Sequence, residues 1–361
     1  MRIWASRRWQ MLLAMVVASS AVVEGAARAM AGGGGPSFNN LVVFGDSLID
    51  VGNLAHADGG LLPGALSNYA PGMFTDGAAT KPSTQIVGNY AYQLNAALAK
   101  SYPSFGTLAP SAAGGSDYAY GGAVTGQNLV YSGITVPGIN TQVSTYVASK
   151  PVSPANNIYL LWGGANDILN AAEASDATAS SIDAAATAAA ANMNADISGL
   201  YAIGARDFIW LNLPDLALTP EGRGLPTAND LSGAVNDFNT AFSQDVTQLV
   251  SASQRGIKLD AIDVSSLFNE LVSSPDTYGL SNVSSEAQGQ AGINPNTYLF
   301  WDGVHPTTAA DQILVNETLP GIESTFVNVA APEPSTWWLL AVGAGLAGLP
   351  IRRRVAGRLA K

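Results

Sequence analysis

The sequence predicts an α/β protein: a doubly wound, mostly parallel sheet flanked by helices. Two observations carry this. Four short apolar runs, at 41–44, 158–162, 208–213 and 257–263, contain no proline and have the character of buried parallel strands. Longer helix-forming stretches at 85–100, 177–203 and 230–253 separate them and are long enough for crossover helices. The alanine-rich run at 184–191 is low in complexity but high in helix propensity, so it reads as structural. No repeat of solenoid period interrupts the alternation.

Both ends read as processing segments. Arg2, Arg7 and Arg8, an apolar run at 11–23 and a small-residue site at 27–31 have the order of a secretory signal over residues 1–31. A glycine-rich spacer, 32–40, follows, then a body at 41–329. The tail at 330–361 carries Pro332-Glu333-Pro334, an apolar stretch at 337–351, and then Arg352, Arg353, Arg354, Arg358 and Lys361. The apolar stretch is shorter than the roughly 20 residues that span a bilayer, and the terminal cations would stay on the cytoplasmic side. This tail resembles the PEP-CTERM sorting signal of Gram-negative bacteria, which implies an exosortase-type enzyme as a partner, alongside signal peptidase. A plain C-terminal anchor is the alternative. These ends imply export through the inner membrane to the periplasm, cell surface or medium, with membrane contact only through the terminal segments.

The whole chain of 361 residues has 16 basic and 27 acidic side chains, a net charge of −11. Without its ends the balance is starker: residues 32–331 hold seven basic and 25 acidic residues, a net charge of −18. Such a body repels nucleic-acid phosphates and anionic membranes, so a nucleic-acid partner is not expected. The absence of cysteine excludes thiol nucleophiles, disulfides and cysteine-ligated metals. With only His56 and His305, a histidine-rich metal site has little to draw on, and a His-Glu-x-x-His helix cannot form. Gly343, Gly345 and Gly348 spell a dinucleotide-like word, but no strand precedes it, and it reads as small-residue packing in the tail.

Serine chemistry remains. The sequence has no Gly-x-Ser-x-Gly word and no Ser-x-x-Lys pair. Gly45-Asp46-Ser47-Leu48 directly follows the first strand, where ligands of open α/β sheets bind. Gly45 would permit a tight turn, and Ser47 would stand above the sheet with its N–H toward a developing oxyanion. The alternative is an ordinary turn in which Ser47 caps a helix. For a base, Trp301-Asp302-Gly303-Val304-His305-Pro306 puts a carboxylate three residues before an imidazole, close enough to hold its Nδ1–H. His56, with Asp58 nearby in a glycine-rich stretch, reads as a surface or cleft-rim residue.

Four blocks in order now resemble the GDSL family of lipases and esterases, the SGNH hydrolases: 43–53 around Ser47, 117–123 with Gly121-Gly122, 162–167 with Asn166-Asp167, and 300–307 around His305. The resemblance implies a three-layer, flavodoxin-like sandwich. It also implies Ser47 as nucleophile, His305 as base and then acid, and Asp302 as its orienting carboxylate. The implied oxyanion donors are the N–H groups of Ser47 and Gly122 and the Asn166 side chain. Gly121 stays a close competitor for Gly122, and Asn166 could be a turn amide. Ile49, Val51 and Tyr120 depart from many relatives and are expected to shape the pocket.

The function expected is a secreted carboxylic ester hydrolase acting through an acyl-enzyme on Ser47, with no metal or organic cofactor and a small-molecule, lipid or carbohydrate ester as substrate. Two alternatives share the scaffold: acyl transfer to a sugar or alcohol, and a non-catalytic matrix protein that binds exopolysaccharide.

Overall fold

The computed structural model describes residues 38–326, apart from 65–66, 78–80, 82–84 and 252–255. In chain order it begins with β1 (Asn40–Gly45), α1 (Asn53–Ala57), α2 (Tyr90–Ser101), β2 (Leu129–Tyr131), β3 (Ile134–Val136), α3 (Ile139–Ala148), β4 (Asn157–Trp162), α4 (Ala165–Glu173) and α5 (Ala179–Ala202). There follow β5 (Asp207–Leu211), α6 (Pro220–Gly224), α7 (Ala228–Ser251), β6 (Lys258–Ile262), α8 (Val264–Ser273), β7 (Asn282–Glu286), β8 (Tyr298–Phe300) and α9 (Thr308–Phe326).

The four apolar runs are the strands of one parallel sheet in the order β1-β4-β5-β6. Val43, Leu160 and Ile209 share a row across it, all fully buried. On the free side of β1 the segment 116–120 runs alongside: Val43 N–H donates to Ser116 (3.0 Å), Tyr118 N–H to Val43 (2.8 Å) and Tyr120 N–H to Gly45 (3.1 Å). The chain therefore winds one way from β1 to this segment and the other way to β4. That reversal makes the sheet doubly wound, as expected, and opens a crevice at the carboxyl ends of β1 and β4. Helices α3, α4, α5 and α7 pack as one group and α2 with α9 as another, so the sheet lies in a three-layer sandwich.

The structure corrects several details of the sequence reading. The strand β6 is an edge strand, with Lys258, Leu259 and Asp260 half-buried and Ala261 exposed, so it is not buried on both faces like its neighbours. Helix α2 starts at Tyr90, five residues later than its apolar pattern, because the Asn89 side chain accepts the Tyr92 N–H and caps it there. Helix α5 starts where Thr178 and Ser181 form a reciprocal capping box. Phe38, inside the segment read as spacer, is buried edge-on against Tyr102 and Phe326. Among the described residues no helix is long and apolar enough to cross a membrane. The signal, the sorting tail and the Gly343-Gly345-Gly348 word lie outside the described residues.

Candidate active site

Ser47 stands two residues past the end of β1. Gly45 is required there by close approach of β4: a Cβ at Gly45 would sit 2.2 Å from the Trp162 carbonyl oxygen. The tight turn comes next. Asp46 accepts the N–H groups of Ile49 and Asp50 at its carbonyl, and that of Leu48 at its carboxylate. Ser47 is no helix cap, since Gly52 occupies the cap of α1 and the Asp50 carboxylate takes the N–H groups of Gly52, Asn53 and Leu54. Its Oγ lies 2.7 Å from Nε2 of His305.

The loop between β8 and α9 brings His305 to that position from 258 residues away. Nδ1 of His305 lies 2.9 and 2.8 Å from the two oxygens of Asp302. Oδ1 of Asp302 also accepts the N–H groups of Val304 and His305, which fixes the short turn between the partners. Oδ2 accepts the phenol of Tyr69 at 2.7 Å. Phe74 lies against the imidazole, ring centroids 4.9 Å apart. With Nδ1 facing a carboxylate, Nε2 is left as the acceptor for the Ser47 hydroxyl.

Three donor groups at Ser47 keep a hydrogen without a protein acceptor among the described residues. Among the described residues neither the Ser47 nor the Gly122 N–H has a protein acceptor. Gly122 and Gly121 differ in this respect: the Gly121 N–H is taken by the buried Asp50 carboxylate at 2.8 Å. Gly122 has φ +76°, a left-handed backbone that glycine adopts at no steric penalty. Asn166, at the start of α4, donates one amide hydrogen to the Ala123 carbonyl (2.9 Å), which orients the amide and leaves its second hydrogen free. Asp167 beside it accepts the N–H and hydroxyl of Thr125, tying α4 to the glycine loop.

The electrostatics favour a proton acceptor at His305. Burial opposes its charging, but Asp302, helped by Asp46 and Glu221, outweighs burial and raises its pKa. Burial would also raise the Asp302 carboxyl; the charge of His305 and the hydrogen bonds from His305 and Tyr69 overcome it and hold Asp302 well below the usual carboxylate range. Asp46 goes the other way, pushed up to about 7, chiefly by burial.

Two cavities meet at Ser47 and share His305, Asn166, Leu169 and Val304. One is an apolar pocket of about 80 Å³ bounded by side chains such as Leu216, Leu267, Phe268, Leu271 and Leu299. The other is a cleft of about 560 Å³ on the Gly122 side, walled by Leu54, Phe74, Ile134 and Val136, with Glu173 and Glu221 at its edge. Ile49 and Val51 are buried in the fold and line neither cavity, whereas Tyr120, also off both linings, packs behind the cleft wall against Leu54 and Val136. His56 is exposed on α1 and lines neither cavity, although Leu54 and Asp58 beside it line the cleft.

Sequence reasoning passed over three supporting residues. Tyr69 contacts Asp302 across 233 positions and has no local motif. Gln142 on α3 bonds both the N–H and the carbonyl of Gly45, fixing the strand end before the serine. Asp50 lies in the first block, and its Asp-x-Gly-Asn setting is a turn signal that could have marked it.

The family model described as GDSL-like Lipase/Acylhydrolase matches residues 41–318. An uncharacterized protein of Pseudomonas putida, from a trpE-trpG intergenic region, is 29% identical over 326 residues, 82% of this chain and 50% of that protein, so the chain spans about half of this relative. A phosphatidylcholine-sterol acyltransferase of Aeromonas hydrophila is 24% identical over 339 residues, covering 81% of this chain and 92% of that one. Among solved structures, an acetylxylan esterase from Geobacillus stearothermophilus aligns with a TM-score of 0.39 at 13% identity, over 81% of this chain and 98% of that one. On the match across residues 41–318, the chain belongs to the GDSL-like lipase/acylhydrolase family.

Proposed function

We propose that the protein is a carboxylic ester hydrolase that works through an acyl-enzyme on Ser47. The observation that carries this reading is the linked array of Ser47 Oγ, His305 Nε2 at 2.7 Å, and His305 Nδ1 against Asp302 at 2.8 Å. Ser47 Oγ attacks the ester carbonyl carbon while His305 Nε2 takes its proton. Asp302 stabilises the imidazolium that forms. The oxyanion receives hydrogen bonds from the N–H groups of Ser47 and Gly122 and from the Asn166 amide. When the intermediate collapses, the imidazolium protonates the departing alcohol. Water, deprotonated by the same Nε2, then releases the acid and restores Ser47.

The two cavities suggest a division of the substrate. The apolar pocket suits the acyl group, and the wider cleft suits the alcohol. Hydrolysis of a p-nitrophenyl ester series by the full chain, with Ser47→Ala as control, tests this reading. Turnover retained in Ser47→Ala would overturn it.

Acyl transfer is the second reading, favoured by the name and 92% coverage of the Aeromonas hydrophila relative. It uses the same acyl-enzyme, with an alcohol or sugar in place of water. Transesterification products formed on adding acceptor alcohols would identify it.

The proposed setting is outside the inner membrane, after removal of residues 1–31 and exosortase-type processing of 330–361. The support is the order of basic, apolar and small residues at the two ends. Intact masses of cell-associated and secreted protein, compared with the full chain, test both cleavages; a full-length mass in every fraction would overturn them.

A further inference from the structure

We infer that the mouth of the Ser47 cleft is a docking surface for a zwitterionic phospholipid layer. Six large apolar side chains are exposed among the described residues, and four of them sit on two neighbouring features of this mouth. Leu61 is 75% exposed and Leu62 53%, both on the turn after α1; Val130 is 67% exposed and Tyr131 46%, both on β2. Leu61, Leu62 and Tyr131 border the cleft that contains Ser47. Val130 adjoins Tyr131 and lines no part of it.

The two leucines are presented by a fixed turn. The Asp58 carboxylate accepts the N–H groups of Gly60, Leu61 and Leu62 at 2.9, 3.0 and 2.7 Å, which aims both side chains outward with their backbone satisfied. The other feature is the two-stranded β2-β3 hairpin. Its Tyr131 ring reaches the oxyanion region, since a Cβ at Gly122 would lie 3.5 Å from Tyr131 Cε2. The exposed patch is thus continuous with the reacting centre.

Apolar side chains gathered at a cleft mouth are unfavourable in water and gain by entering the boundary between lipid headgroups and acyl chains. Charge selects the kind of surface. The body carries −18, and Asp58, Glu173 and Glu221 border the cleft with no lysine or arginine among its lining residues. An anionic layer would be repelled. A zwitterionic layer presents its ammonium groups outermost, where they meet Asp58 and Glu173; Glu221 is pushed up to about 7 by burial and by its hydrogen bond with Glu173 and contributes less charge. This inference rests on the ester-hydrolase reading, because it names the surface from which the ester enters.

The test is co-sedimentation of the full chain carrying Ser47→Ala with phosphatidylcholine vesicles, compared with the same chain carrying Leu61→Ser and Val130→Ser. The terminal segments are common to both, so the difference isolates the mouth. The expected result is binding to phosphatidylcholine, about tenfold weaker partitioning for the double substitution, and a smaller difference between the two chains when phosphatidylglycerol is added. Absence of binding to phosphatidylcholine, or equal binding by both chains, would overturn the inference. Turnover of p-nitrophenyl acetate in free solution separates the two claims. The Ser47 chain and its Val130→Ser variant should turn it over equally. Soluble turnover without docking overturns the docking alone, whereas absence of soluble turnover overturns the ester-hydrolase reading.

Discussion

The phenol of Tyr69 donates to Oδ2 of Asp302 at 2.7 Å, on the oxygen that also faces Nδ1 of His305. Tyr69 itself never reaches Ser47 chemistry; it acts through the carboxylate, which makes it a positioning residue. Tyr69→Phe should lower kcat by about tenfold, the worth of one hydrogen bond to a charged group. KM should change little. With one donor removed, Asp302 becomes a stronger acceptor for His305, so the acid limb of kcat/KM should move to higher pH. An unchanged pH profile would reduce the contact to packing.

Asn166 should behave as a transition-state donor. Removing it by Asn166→Ala should lower kcat by about 10²- to 10³-fold with KM nearly constant. A loss confined to KM would mean that the amide serves ground-state binding.

Asp50 links two loops of the candidate site. Its carboxylate accepts four N–H groups, three at the start of α1 and one from Gly121. Asp50→Asn turns an amide nitrogen toward some of those donors, so stability should fall by about 1–3 kcal/mol. The loop that presents the Gly122 N–H loosens as well, so kcat should fall in the folded variant. Thermal melting and kinetics read the two effects separately.

Activity and stability should run in opposite directions with pH. The base works when His305 is neutral, and its pKa is raised. Activity should therefore fall as pH drops through a midpoint above about 6.5, the unperturbed imidazole value. Asp46 and Asp167 have folded pKa values of about 7 and about 6, each raised mainly by burial. The folded state holds protons there that the unfolded chain releases near pH 4. Their stabilisation is full below that pH and is lost as pH rises through 6 to 7. His305, also raised, adds to the same trend. Asp302, lowered, opposes it only below about pH 4. Melts should show a higher Tm at pH 5 than at pH 8. The reverse order would mean that Asp46 and Asp167 are already ionised at pH 5.

What could be read in the sequence was local. Strands β1, β4 and β5 declare themselves as apolar runs, and Asp302 with His305 lie within one turn. Lys258 and Asp260 alternate with Leu259 and Ala261 in the sequence itself, but that β6 is the edge strand follows only from the strand order. The choice between Gly121 and Gly122 was not local either: it depends on which N–H the Asp50 carboxylate captures, across 71 positions. Tyr69 and Gln142 act across 233 and 97 positions and leave no periodic trace. The sequence pattern conveys which residues carry chemistry, and the fold conveys which residues hold them still.

The most direct measurement is reaction of the folded protein with a fluorophosphonate probe, followed by intact mass and peptide mapping. The account predicts one adduct, on Ser47, lost in Ser47→Ala and slowed as His305 becomes protonated. No adduct on folded protein, or an adduct on another serine, would contradict it and favour a binding role for the scaffold.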